Sequence, residues 1–355
     1  MNRKNIENVN ILYLIEIAFI ILGFSIIVSL IQVICIPLGI NQVETVERFM
    51  ELVNDNHILA MVLSQGLLFI PMFIFYINKK KLIKKTIRFK AINLKTGALL
   101  IILTYSLMPI MTFINMLSMT VVKNKISETI TNVVSKESIL LSIFCVAIIP
   151  AFVEELLCRG IIYNTYAEVS IKKAVVYSGL MFGCLHCNFN QFAYAFFMGV
   201  VFALVVEATD STISTIMMHF IINANSLVLS YITIQTGAKV SYDDVSYSFV
   251  QVLSWGKFAL IALVPSILIY VWIAKINGRY EIIKNSFSFL KRKKTKDTDT
   301  KTDGFRKNME KQIEKVESES IQKNAIDVKS CKIMDIYLII AFVICIIYMI
   351  AVEVV

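Results

Sequence analysis

Charge is scarce in this 355-residue chain: 17 % of its residues are Asp, Glu, Lys or Arg, while 57 % are hydrophobic. With a mean hydropathy of +0.71, that balance excludes an ordinary soluble domain. The seven cysteines stand singly, mostly inside apolar runs, which excludes a disulfide framework. The His-Glu-x-x-His signature of soluble zincins is absent. So is an internal repeat between the halves of the chain, which speaks against a transporter built from repeats. A net charge of +9 would suggest a nucleic-acid partner in a soluble protein. Here most of the excess lies in two blocks beside apolar segments, where membrane topology explains it, so no nucleic acid is expected. The composition describes an all-α, polytopic helical membrane protein whose constant partner is the lipid bilayer.

The hydrophobic runs predict about nine transmembrane helices. The first, 11–40, is too long for a signal-peptide core and lacks a small-residue cleavage site, so it reads as a retained span. Glu16 near its start is expected to snorkel to the interface. Further spans are expected at 57–77, 96–122, 139 onward, 174–187 (short), 191–208, 211–234, 256–276 and 333–352. This divides the chain into 1–137 with three helices, a core at 138–277 with five, a charged cytoplasmic linker at 278–332, helical around 305–323, and a final helix at 333–355. The segments 41–56 and 123–137 read as loops. An amino terminus in the cytoplasm puts the basic segments 78–95, 172–173 and 291–294 inside and the acidic loops 41–56 and 235–249 outside, as the positive-inside rule requires. The expected location is the cell membrane.

Against this background, the stretch Pro150-Ala-Phe-Val-Glu154-Glu155-Leu-Leu-Cys-Arg159-Gly160 puts two carboxylates and an arginine where lipid tolerates none. On a helix Glu155 and Arg159 share a face in the favourable order for an ion pair, while Glu154 points about 100° away. Pro150 cannot donate to the carbonyl of Val146, so a distortion is expected just before the carboxylates. A second anomaly is His219-Phe-Ile-Ile-Asn223, with both polar groups on one helical face. Phe182 and His186 repeat the spacing on the short span. Counted from the nearest cytoplasmic residues, Glu154, His186 and His219 all fall between the cytoplasmic third and the midplane. Cys184-x-x-Cys187 beside His186 reads as small buried packing.

One carboxylate and two imidazoles suit the activation of water for attack on a carbonyl, with Glu154 as general base. Two versions fit the residues. In one, Glu154, His186 and His219 hold a Zn²⁺ ion with an open position. In the other no metal is needed: Glu154 and His186 position the water, and His219 and Asn223 donate to the oxyanion. Spacing alone leaves both open. A non-catalytic immunity or partner-binding protein and a proton-coupled transporter are the competing classes.

Glu154-Glu155-x-x-x-Arg159, Phe182-x-x-x-His186 and His219-x-x-x-Asn223, in that order on neighbouring spans, resemble the three motifs of the CPBP family. That family unites type II CAAX prenyl endopeptidases with the Abi proteins of bacteriocin self-immunity. The resemblance covers about 138–235. It implies an intramembrane protease with a cytoplasm-accessible site, Glu154 as its catalytic carboxylate, Glu155 and Arg159 as supports, and His186, His219 and Asn223 completing it. Members are often labelled metalloproteases, though a glutamate mechanism without metal is also argued. The Ile-, Lys- and Asn-rich composition suggests an AT-rich bacterial source, where bacteriocin-type or signalling peptides and membrane-protein tails are better substrates than prenylated ones. The chain from 278 onward lies outside the resemblance.

Overall fold

A computed structural model describes residues 3–122, 125–237, 249–288 and 332–354. The expected linker helix at 305–323 and the acidic pair Asp243 and Asp244 lie outside the described residues. Among those described, eight helices are long and apolar enough to cross a membrane. In chain order the helices are α1 (Arg3–Leu38), α2 (Gln42–Asp55), α3 (His57–Asn78), α4 (Lys80–Thr86), α5 (Leu94–Ser118) and α6 (Lys125–Lys136). The continuous helix α7 covers Ile139–Ala167. It is followed by α8 (Ile171–Leu185), α9 (Phe189–Thr209), α10 (Ile213–Gln235), α11 (Phe249–Ile276), α12 (Tyr280–Phe287) and α13 (Ile336–Val354). Among the described residues the fold is all-helical, as expected from the sequence. The ninth apolar segment is α8, whose 15 residues reach only about 22 Å. It can be that short because its surroundings are protein, most of its apolar residues being buried.

Two expected loops are helices instead. Asn41 accepts from Glu44 N and opens α2, and residues 125–136 form α6. Their mixed charge concealed amphipathic patterns that suit an interface better than a span. Glu16 also corrects the sequence reading. It is fully buried inside the bundle rather than snorkelling, and neither carboxylate oxygen has a hydrogen-bond partner. Because α1 begins at Arg3, Glu16 lies more than three turns inside the helix, where the bundle surrounds it.

The centre of the bundle is the hairpin of α8 and α9, turned by His186, Cys187 and Asn188. Cys187 adopts a left-handed φ of 47°, and Asn188 Oδ1 accepts from Gln191 N at 3.0 Å to start α9. The two helices approach at glycines: a Cβ on Gly199 would lie 2.7 Å from Gly179 Cα. Backbone on the far side cannot give way as a side chain would, so Gly199→Ala is expected to cost about 1–3 kcal/mol. Unfolding of the purified protein by titrated SDS measures this, and an unchanged midpoint would contradict the packing described.

At one end of the bundle Glu207, 1 % exposed, gathers a clasp. Arg88 Nη1 donates to it at 2.7 Å, Tyr163 Oη at 3.0 Å, and Arg279 forms a second ion pair. Burial works against the charge on Arg88, but Glu207 outweighs it and holds the guanidinium above its ordinary pKa. The clasp joins the segment after α4 to α7, α9 and the start of α12. On another side α13 packs against α1 and α8. Asn10 Nδ2 donates to Ile333 O at 2.8 Å, and Cys345 Sγ to Cys184 O at 3.1 Å. Cys184 and Cys187 are buried free thiols, as the packing reading expected.

Candidate active site

Pro150 deletes one helical hydrogen bond, and α7 answers with local widening rather than a simple kink. Residues Ile143–Ile148 and Leu156–Tyr163 are π-helical, flanking the α-helical turn Ile149–Glu155. Such segments concentrate at functional sites because they re-aim side chains along an otherwise regular helix. Both carboxylates stand at the seam before the second π stretch. The carbonyl of Val146, which Pro150 cannot reach, accepts from Asn223 Nδ2 at 3.2 Å. The amide placed by its spacing one turn from His219 therefore braces α7.

Glu155 and Arg159 are both fully buried, and Arg159 Nη1 donates to Glu155 Oε1 at 2.7 Å. The helical spacing in sequence becomes a real pair. His219 Nδ1 meets the same oxygen at 3.1 Å, joining α10 to α7. Arg159 Nε and Nη2 and Glu155 Oε2 have no hydrogen-bond partner. The guanidinium instead lies against aromatic rings, 4.2 Å from the Phe182 centroid and 5.0 Å from that of Phe202. Phe182 thus has a physical role in its motif. It covers Arg159, packs edge-on to His186 at 5.1 Å and to His219 at 5.8 Å, and its carbonyl is 2.9 Å from His186 Nδ1. Ser178 Oγ donates to Cys158 O at 3.3 Å, tying α8 to the second π stretch.

These contacts set the tautomers. The Phe182 carbonyl can only accept, so His186 carries its proton on Nδ1 and, when neutral, presents Nε2 as an acceptor. His219 likewise directs Nδ1–H at Glu155, so its Nε2 becomes a donor only when the ring holds both protons. Glu154 faces elsewhere, as the angle between neighbouring helix positions predicted. It is partly buried, Gln65 Nε2 of α3 donates to its Oε1 at 3.4 Å, and its Oε2 is buried without a partner.

Whether these side chains fit a metal can be judged from the donors themselves. Among the described residues no three His, Cys, Asp or Glu side chains group as one ion requires. The set Glu154, His186 and His219 is therefore not assembled for Zn²⁺, and His219 spends one ring nitrogen on Glu155. Sequence reasoning missed Gln65, a single neutral amide in an apolar run, and the Glu207 clasp. The signal for Gln65 was its polarity at membrane depth. For Glu207 it was a carboxylate two residues before the end of a span.

Residues 136–225, about a quarter of the chain, match the family described as type II CAAX prenyl endopeptidase Rce1-like. No curated protein and no solved structure matches the chain. The matched stretch runs from the end of α6 into α10 and contains all seven named residues of the three motifs. Over residues 136–225 the chain is therefore similar to the type II CAAX prenyl endopeptidase Rce1-like family, in the segment that carries the three motifs.

Proposed function

We propose that the chain is an intramembrane endopeptidase that hydrolyses membrane-associated peptides or proteins with Glu154 as general base. One observation carries this reading. Of two adjacent carboxylates at membrane depth, Glu155 is neutralised by Arg159, whereas Glu154 has no cationic partner among the described residues and keeps a buried oxygen unengaged. A carboxylate held so at the seam of a distorted helix is expensive in a bilayer unless it is used.

In this reading a water gives a proton to Glu154 as its oxygen attacks the carbonyl carbon of the scissile bond. The C=O π electrons move onto oxygen, and the resulting oxyanion meets the free Nδ2–H of Asn223 and, with both ring protons in place, Nε2–H of His219. Glu154 returns its proton to the departing nitrogen as the C–N bond breaks. His186 offers Nε2 as an acceptor beside the water. Glu155, Arg159 and Phe182 hold His219 and α7 in register and do not touch the reacting atoms.

The same reading places the protein in the cell membrane with its amino terminus in the cytoplasm. Helices α1 to α6 precede a core spanning 138–277, and α13 is an addition to it. The substrates are bacteriocin-type or signalling peptides, or the tails of membrane proteins. Comparing membrane peptidomes of cells carrying wild-type protein and Glu154→Ala tests the assignment. Intact precursors are expected to accumulate, and their cleaved fragments to vanish, in the variant. Identical peptidomes would instead point to a non-catalytic immunity or partner-binding protein.

A further inference from the structure

We infer that Gln65, on α3 and outside the family-matched segment, is a positioning residue that selects which oxygen of Glu154 acts as base and orients the water it activates. The inference deepens the peptidase reading and rests on it. The argument starts from donors and acceptors. An ionised carboxylate can only accept, so the end of the Gln65 amide that faces it is the NH₂ end, in agreement with the 3.4 Å contact from Nε2 to Glu154 Oε1. That contact is long, as catalytic hydrogen bonds often are before substrate arrives.

With Oε1 engaged, Oε2 is the oxygen of Glu154 left free, and it is buried without a partner. The other end of the same amide, Gln65 Oε1, is also buried without a partner. Two orphaned acceptors thus sit on two side chains already in contact. Orphaned buried acceptors are rare and call for an explanation. A water resolves both, since it donates two hydrogen bonds: one hydrogen to Glu154 Oε2, the other to Gln65 Oε1. Its two lone pairs then point away from both acceptors, one of them toward an incoming carbonyl. The amide plane of Gln65 fixes this geometry, and α3 packs directly on α7 to hold it there. Asn is one methylene too short to reach from the same backbone, and Leu and Met supply neither donor nor acceptor.

The experiment reads the carboxylate itself, so it needs no known substrate. In infrared difference spectra of the purified full-length protein, the Glu154 band is the one lost in Glu154→Gln. Gln65→Met, nearly isosteric, removes the donor to Glu154 Oε1 and is expected to move that band to higher frequency. Gln65→Leu serves as a second apolar variant should Gln65→Met misfold. Once the peptidome supplies a cleavable peptide, Gln65→Met should lower kcat tenfold or more and leave KM within twofold. An unmoved band in folded Gln65→Met, or a full kcat, overturns the role of Gln65. If Glu154→Gln itself hydrolyses the peptide normally, the peptidase reading fails, while the band still reports whether the two side chains interact.

Discussion

Arg159→Ala is expected to destabilise the protein by about 3–5 kcal/mol, the range for breaking one partner of a buried ion pair. Both members are 0 % exposed, and the removal leaves Glu155 with only a histidine nitrogen at 3.1 Å. The guanidinium also lies against Phe182 and Phe202, so alanine opens a void between two aromatic rings. Arg159→Lys should rescue little, because an ammonium cannot lie flat against the rings while donating to a carboxylate. The informative partner is Glu155→Leu combined with Arg159→Leu. With no charge left uncompensated, the double variant should be more stable than Arg159→Ala, and the cycle gives the coupling directly. SDS or steric-trap unfolding measures all of these. A change below about 1 kcal/mol in Arg159→Ala would mean that the pair does not hold α7 in shape.

Glu154→Gln has the largest expected effect on chemistry. The substitution keeps shape and leaves an oxygen for Gln65 to donate to, so stability should stay within about 0.5 kcal/mol of wild type. A neutral amide cannot take a proton from water, and peptide hydrolysis should fall by about 10²–10⁴. The contrast with Arg159→Ala separates the two carboxylates: one variant keeps its stability and does not cut, the other loses stability. If Glu154→Gln keeps more than a tenth of the wild-type rate, another group is the base.

Much of the site was legible because helical spacing is local information. Glu155 and Arg159, or His219 and Asn223, share a face wherever a helix forms, and charge in an apolar run announces itself. What was not legible depended on distance along the chain. Pro150 marks the carbonyl of Val146 as short of a donor, but nothing near it says that Asn223, 77 residues on, supplies one. The π segments escaped for a related reason: they are settled by which neighbours satisfy the backbone, not by propensity. Gln65 belongs to a different helix and carries no charge, so no periodicity distinguishes it. Glu16 failed through an element boundary. Placing the start of the first helix at residue 11 instead of Arg3 turned an interior carboxylate into an interfacial one. Spacing left the zinc and metal-free versions both open, because sequence order brings three residues onto neighbouring helices without saying which way each ring nitrogen is engaged.

The docking of α13 on α1 and α8 also bears on the order of events during synthesis. The ribosome finishes residue 225 more than a hundred residues before it reaches Ile336, an interval of roughly 5–20 s at ordinary elongation rates. Throughout it, the face of α8 that carries Cys184 has the bilayer or an insertase as neighbour, not its eventual partner. Maturation therefore includes a late helix entering the membrane and displacing whatever occupied that face. A nascent chain stopped anywhere between Asn225 and Ile336 holds every motif residue and still lacks one wall behind the hairpin of His186.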